Sequence, residues 1–290
     1  YLYCPSLIWT INDLYYYMID LITSAIIPPL LIAFFIYRND LYEFEPHKLL
    51  IKTFFLGFLI TIPMIILELL TEVIFDNILL YSLLGVALVE EGIKYITLLI
   101  YNYKKDDFNE PYDGIIYSVM LTMGFALVEN IMYVVNSGDM GSSVATLRTL
   151  TAIPMHATCG IVMGYFLGLA KIEGENKTRN LALAIAVPVL IHGLYNYFIF
   201  VELIALSLLI VVLGGFWLAS ATAYKRSGTF SWANDMRVAA SIAIPVHLFL
   251  NAIPTEVFDS VNLGTVDIAA ILLTVLHFYL MFKNGNINKG

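Results

Sequence analysis

Apolar residues dominate this chain in long, almost unbroken runs rather than in short alternating ones. About nine runs have the length that crosses a bilayer as a helix: Leu14–Tyr37, Leu49–Leu70, Ile78–Ile100, Asp113–Val135, Arg148–Ala170, Leu181–Phe200, Leu203–Ala223, Arg237–Ile253 and Val266–Phe282. Alternation over about ten residues, the mark of a membrane β-barrel, is missing from these runs. The pattern therefore predicts an all-α, polytopic transmembrane helix bundle, residues 1–290 forming one integral membrane domain, because helices satisfy their own backbone groups in lipid. Basic residues sit on every second connection: Arg38 and Lys48, Lys104 and Lys105, Lys171 with Lys177 and Arg179, Lys225 and Arg226, then Lys283 and Lys289. The intervening connections Thr71–Asn77, Asn136–Ser143, Val201–Glu202 and Pro254–Asp267 carry no lysine or arginine. That asymmetry predicts an external N-terminus and a cytosolic C-terminus. Lys94 and Arg148 fall outside the pattern, so both are expected to be buried or near an outer helix end.

Composition agrees. Hydrophobic residues make up 60% of the chain and charged residues 13%, with a mean hydropathy of +0.81. A formal net charge of −8 argues against nucleic acid as a partner and leaves the lipid bilayer as the first surface the chain meets. Its two cysteines, Cys4 and Cys159, lie far apart and imply no disulfide framework. The first apolar run lacks a basic leader and a small-residue cleavage site, so no cleavable signal peptide is expected.

Against this apolar background, a few polar positions stand out. Val89-Glu90-Glu91-Gly92-Ile93-Lys94 places two carboxylates and a lysine inside the third run. A charge near the centre of a spanning helix costs at least ~2.5 kcal/mol and so normally faces a protein or water-filled interior. Lys94 is four residues from Glu90 and three from Glu91, within reach of either, and is expected to neutralise one of them. The fourth run holds Glu129, which shares a face with Phe125 and is followed by Asn130. In the fifth, His156 begins a four-residue stripe through Gly160, Gly164 and Gly168, a surface for close helix approach. In the sixth, Pro188, His192 and Asn196 repeat at steps of four. Pro245, His247 and Asn251 repeat part of that spacing, and together with His47 and His277 are read as structural.

At about 1.5 Å of rise per residue, Glu90 and Glu91 fall roughly 18–20 Å below the outer boundary, and Glu129, His156 and His192 about 10–12 Å below it. These levels predict a pocket in the outer half of the membrane, with Arg148 over its mouth. Carboxylates and imidazoles gathered in a restricted site suit hydrolysis: a desolvated carboxylate can take a proton from water, and histidine and asparagine donors can hold an oxyanion. A single zinc held by Glu129, His156 and His192, with Glu90 or Glu91 as base, satisfies the same residues.

These motifs together resemble the PrsW-type membrane proteases, relatives of the CAAX prenyl endopeptidases and bacteriocin-processing proteins. The likeness runs from Tyr42-Glu43-Phe44-Glu45-Pro46 through Glu90-Glu91-x-x-Lys94, Phe108-Asn109-Glu110-Pro111-Tyr112-Asp113-Gly114, Gly124-Phe125-Ala126-Leu127-Val128-Glu129-Asn130 and His156 to His192-Gly193-Leu194-Tyr195-Asn196. It implies a catalytic core over residues 42–200, with additional C-terminal transmembrane helices over 201–290, in a multi-pass protein of the bacterial plasma membrane. It also implies a first, site-1 cut in a membrane-anchored anti-sigma factor near its extracytoplasmic face, which leads to activation of a sigma factor. By similarity to the prenyl endopeptidases, Glu90 is favoured over Glu91 as the group that activates water, and His192 and Asn196 hold the oxyanion. Glu129 takes the place of their water-activating histidine. The resemblance favours a metal-free glutamate mechanism. Two readings of other classes fit the same polar residues: a non-catalytic scaffold or immunity-type protein of this superfold, and an ion- or proton-coupled transporter with a buried Glu/His/Lys relay.

Overall fold

Every regular element among the described residues is helical. The computed structural model describes residues 25–38, 44–172 and 176–203, with single positions at 19, 174 and 207. In chain order the elements are α1 (Ile27–Arg38), α2 (His47–Ile74), a short α3 (Ile78–Leu80), a π-helical segment (Tyr81–Ala87), α4 (Leu88–Tyr101) and α5 (Pro111–Asn136). After a 3₁₀ turn (Gly138–Met140) come α6 (Gly141–Leu150), α7 (Ala152–Ile172) and α8 (Lys177–Phe200). Four stretches of the described chain are long and apolar enough to cross a membrane: His47–Ile74, Pro111–Asn136, Ser143–Ile172 and Lys177–Phe200. The candidate spans Leu203–Ala223, Arg237–Ile253 and Val266–Phe282 lie outside the described residues apart from Leu203 and Ser207, as do His247, Asn251, His277 and Cys4.

Helix α5 is the inner element and packs against α1, α2 and α7. Its start is set locally. Pro111 stands at the first helical position, and Asp113 Oδ2 accepts from the backbone N–H groups of Asn109 (2.8 Å) and Glu110 (2.7 Å), closing a capping box. Glu45, just ahead of α2, accepts a hydrogen bond from the Tyr117 hydroxyl and ties the entry of α2 to α5. Glycines then let backbones approach. Gly57 of α2 lies against the Leu121 carbonyl and Gly124 of α5 against that of Phe54, while Gly164 and Gly168 of α7 lie against the Gly114 and Pro111 carbonyls. The glycine stripe of α7 therefore faces α5, and His156, on the same stripe, is turned inward with it. A methyl group at Gly164 has no room beside Gly114 and Ile115. Gly164→Ala is expected to cost about 1–3 kcal/mol through overpacking, read as a lower melting temperature in detergent. Gly92→Ala meets nothing within 4 Å and should leave that temperature unchanged.

Two predicted spans take a different form. Residues 78–101 are helical throughout, but Tyr81–Ala87 is a π-helix, held where the Thr71 hydroxyl donates to the Gly85 carbonyl (2.8 Å) and Ser82 to that of Ile78 (2.7 Å). The predicted helix Arg148–Ala170 is divided between α6 and α7, with a break at Thr151 (φ −121°, ψ −63°). Pro154 explains the break: it cannot donate to the Leu150 carbonyl, and its ring crowds that carbonyl. The Thr151 hydroxyl secures the corner, donating to Leu147 O (2.8 Å) and accepting from the Tyr195 hydroxyl (2.9 Å).

Candidate active site

Five of the six residues picked from the sequence as catalytic converge, drawn from four helices. Glu90, Glu91 and Lys94 lie on α4, Glu129 on α5, His156 on α7 and His192 on α8. Lys94 is fully buried, and its ammonium donates to both glutamates, at 3.0 Å to Glu90 Oε2 and 2.9 Å to Glu91 Oε1. The expectation that it pairs with only one of them is replaced by a shared cation. One positive charge serves two carboxylates because helical spacing brings positions three and four residues back onto the same face. Phe125 supports the arrangement: the Lys94 ammonium stands 4.0 Å over its ring, and the His156 ring meets its edge at 5.5 Å. A desolvated cation–π contact of this kind contributes about 2 kcal/mol.

Each histidine has its own carboxylate, and each of those carboxylates its own cation. His156 Nε2 is 2.7 Å from Glu129 Oε2, which Arg148 Nη2 meets at 2.9 Å. His192 Nδ1 is 2.9 Å from Glu91 Oε1, which Lys94 holds. The two rings face each other edge to face, 5.1 Å apart. Two chains thus meet at the imidazoles, Arg148–Glu129–His156 from one side and Lys94–Glu91–His192 from the other. An ionised carboxylate only accepts, so the ring protons belong on His156 Nε2 and His192 Nδ1, and the opposite nitrogens are left as lone pairs. Glu90 is the glutamate with the looser ties: it is bonded to Lys94 and lies 3.9 Å from His192 Nδ1.

Glu90, Glu91, His156 and His192 present ligand atoms that all lie within 4.8 Å of one another. Two atoms at this point, Glu91 Oε2 and His156 Nδ1, are buried and have no hydrogen-bond partner among the described residues. Imidazoles whose far nitrogen is held by a carboxylate are the usual second layer of a zinc site, and the Glu/His donor set suits that ion. The residues present fit a divalent metal. The group that fits differs from the zinc set read from sequence: Glu129 is taken up by Arg148 and His156, and Glu91, whose Oε2 is unpartnered among the described residues, stands in its place beside Glu90.

Asn196 lies one turn beyond His192 on α8, half-buried, and its side chain makes no hydrogen bond among the described residues. Arg148 is largely withdrawn from solvent, its side chain 13% exposed, donates from Nε to Asn130 Oδ1 (2.9 Å) and stacks 4.0 Å over Tyr133. His47, by contrast, stands at the far end of α2 against Tyr37, away from the site. Sequence reasoning passed over two residues: Phe125 as the platform for Lys94, and Glu68 of α2, which lies within electrostatic reach of Glu90, Glu129 and Lys94. The signal for Glu68 was present, since it is an ionisable residue in the apolar run Leu49–Leu70.

An all-α bundle with apolar outer helices around a buried centre of glutamates and histidines has the form of a membrane protein built to do chemistry inside its own core. The family described as PrsW family intramembrane metalloprotease matches residues 45–221, and the chain belongs to that family. It is 36% identical to "Protease PrsW" of Oceanobacillus iheyensis over 182 residues, 62% of this chain and 83% of that protein. It is 37% identical to the Clostridioides difficile protein of the same name over 192 residues, covering 63% and 81%, and 31% identical to the Bacillus subtilis one over 185 residues, covering 62% and 83%. No solved structure matches the chain significantly. Membership supports a membrane protease, and the family description names a metalloprotease where the resemblance had favoured a metal-free mechanism.

Proposed function

We propose that this chain is a zinc-dependent endopeptidase of the bacterial plasma membrane, crossing it several times, that makes the first cut in a membrane-anchored anti-sigma factor near its extracytoplasmic face. The observation that carries the metal reading is the meeting of four buried donors within 4.8 Å, two of them imidazoles already oriented by carboxylates. His156 through Nδ1, His192 through its unbonded Nε2 and Glu91 through Oε2 would hold the ion. When bound, such an ion polarises a peptide carbonyl and lowers the pKa of water.

The rest is the work of the chain's own groups. Glu129 and Glu91 keep the two rings in one tautomer and one orientation. Lys94 holds Glu90 beside the reacting position, and Glu90 takes the proton of the attacking water and returns it to the departing amine. Asn196, one turn along α8 from His192, is the donor for the developing oxyanion. Burial keeps bulk water from competing for these polar groups.

The test is the purified protein reconstituted with an anti-sigma factor from the same source. One zinc per chain is expected, with cleavage on the extracytoplasmic side that stops on metal stripping and returns with zinc. Full activity after complete removal of metal would overturn the metal reading, and an intact anti-sigma factor in the presence of active, zinc-loaded protein would overturn the substrate.

A further inference from the structure

Asn130 follows Glu129 on α5 and is fully buried. Its contacts, with those of its neighbours, form a socket for one arginine. Asn130 Oδ1 accepts from Arg148 Nε (2.9 Å), Glu129 Oε2 meets Arg148 Nη2 (2.9 Å), and the Tyr133 ring lies 4.0 Å beneath the guanidinium carbon. Positions 129, 130 and 133 are neighbours on one turn of helix, so a single stretch of α5 supplies all three sides. Asn130 is fixed from behind as well, its Nδ2 donating to Ala25 O (3.3 Å). Charge attraction alone needs only Glu129. The hydrogen bond from Nε and the ring beneath hold the guanidinium in one plane, which a compact ammonium cannot match.

The arginine itself comes from a loosely held element. It sits on α6, which is cut from α7 by the break at Thr151 and joined to α5 through a turn in which Gly138 takes φ +52°. From Ser143 to Leu150 only Ala145 is fully buried, packed with Ala25 and Val134. A helix with so small a buried face is a low-stability unit, so the few contacts that seat it matter. The pair it completes also lies at the open edge of the site: the Glu129 side chain is 17% exposed, whereas Glu90, Glu91, Lys94, His156 and His192 are each 3% or less. One oxygen, Glu129 Oε2, receives both Arg148 Nη2 and His156 Nε2. Without the guanidinium this carboxylate is a mostly buried charge lacking its cation, free to turn to the open edge and release the ring.

We propose that Arg148 is a positioning residue for the reaction: seated in the Glu129–Asn130–Tyr133 socket, it holds Glu129 Oε2 against His156 Nε2, so that the His156 ring is fixed only while α6 is docked on α5. The inference rests on the reading of His156 as a member of the working site. Arg148 acts through Glu129, and Asn130 and Tyr133 act through Arg148. Whatever displaces α6 therefore loosens His156 without touching it.

The test reads three quantities on the full chain in lipid nanodiscs. They are the nitrogen-15 spectrum of the His156 ring before zinc is added (assigned by its loss in His156→Asn), zinc affinity by competition with a chelating dye, and kcat and KM for cleavage. The wild type is expected to show one Nε2–H tautomer. Arg148→Met should give a mixture of tautomers, zinc binding weakened about 10–100-fold, and a lower kcat with KM little changed. Glu129→Gln should do the same, and the double variant should be no worse than the worse single one, since both act on one ring. Arg148→Lys keeps the charge without the fork and should recover only part of the loss. Ala145→Phe leaves every socket residue in place but overpacks the seat of α6, and should reproduce Arg148→Met in all three readouts. A fixed tautomer with wild-type zinc affinity in Arg148→Met overturns the proposal, as do losses that add in the double variant. If Arg148→Met does not accumulate, wild-type behaviour of Arg148→Lys or of Ala145→Phe overturns it instead. The readings fail separately: a wild type that binds no zinc removes the metal and leaves the tautomer to decide, and a variant-dependent tautomer in a chain that cleaves nothing removes only the protease.

Discussion

Glu90→Gln is expected to leave the chain folded, in the membrane and loaded with metal, while cleavage falls by about 10²–10⁴-fold, the usual range for a lost general base. Glutamine keeps an oxygen for the Lys94 ammonium, so the contact at 3.0 Å is weakened rather than removed. What it cannot do is accept the proton of the attacking water. Glu91→Gln should behave differently. Glu91 Oε1 accepts from both Lys94 and His192, and one amide oxygen cannot serve both as a charged acceptor. His192 then loses the bond that orients it, and zinc content should fall together with activity, as is usual for groups that position a ligand. Single-turnover cleavage measured beside zinc stoichiometry separates the two roles. Wild-type rates for Glu90→Gln would remove it as base, and a Glu91→Gln chain that keeps its metal would remove the orienting role.

Most of the site was legible because charge in an apolar run is rare for a physical reason. Glu90, Glu91, Glu129, His156 and His192 each sit where an unpaired polar group is expensive, so each had to find a partner. The inward face of α7 was legible from its glycines, because small-residue stripes are where helix backbones meet. The division of labour was not legible. Which carboxylate serves which imidazole depends on the cations, and Arg148, which holds Glu129, stands just ahead of a break that only Pro154 announces. The π segment has no signal in hydropathy, since a local change in turn size leaves an all-apolar stretch all apolar. Glu68 lay hidden among leucines and isoleucines of a run that otherwise reads as lipid-facing.

The paired chains Arg148–Glu129–His156 and Lys94–Glu91–His192 explain how so many charges persist in one core. Each cation faces a carboxylate, each of these carboxylates faces a ring, and the rings meet. Glu90 alone adds a negative charge without adding a cation of its own. A site arranged in this way favours an incoming positive charge such as a metal between the rings.

Lys94→Met is expected to be the most damaging single change to stability. It removes the cation shared by two neighbouring carboxylates and empties the space over Phe125, at a position with no exposure at all. Breaking a buried pair from one side costs about 3–5 kcal/mol, because the partner is left charged and unpaired. Here two partners are left. The chain should accumulate poorly and melt early in detergent. Lys94→Arg should not rescue it, since a planar fork cannot replace a compact ammonium in a fully packed pocket. Lys94→Met combined with Glu90→Gln should recover much of the lost stability, because Glu91 keeps His192 as its partner and the surplus charge is gone. The two changes should therefore be strongly non-additive in melting temperature, while activity stays absent in the double variant because its base is missing. If Lys94→Met melts like the wild type, or if the second change only adds to the damage, then Lys94 is a packing residue and the charge accounting of this core fails with it.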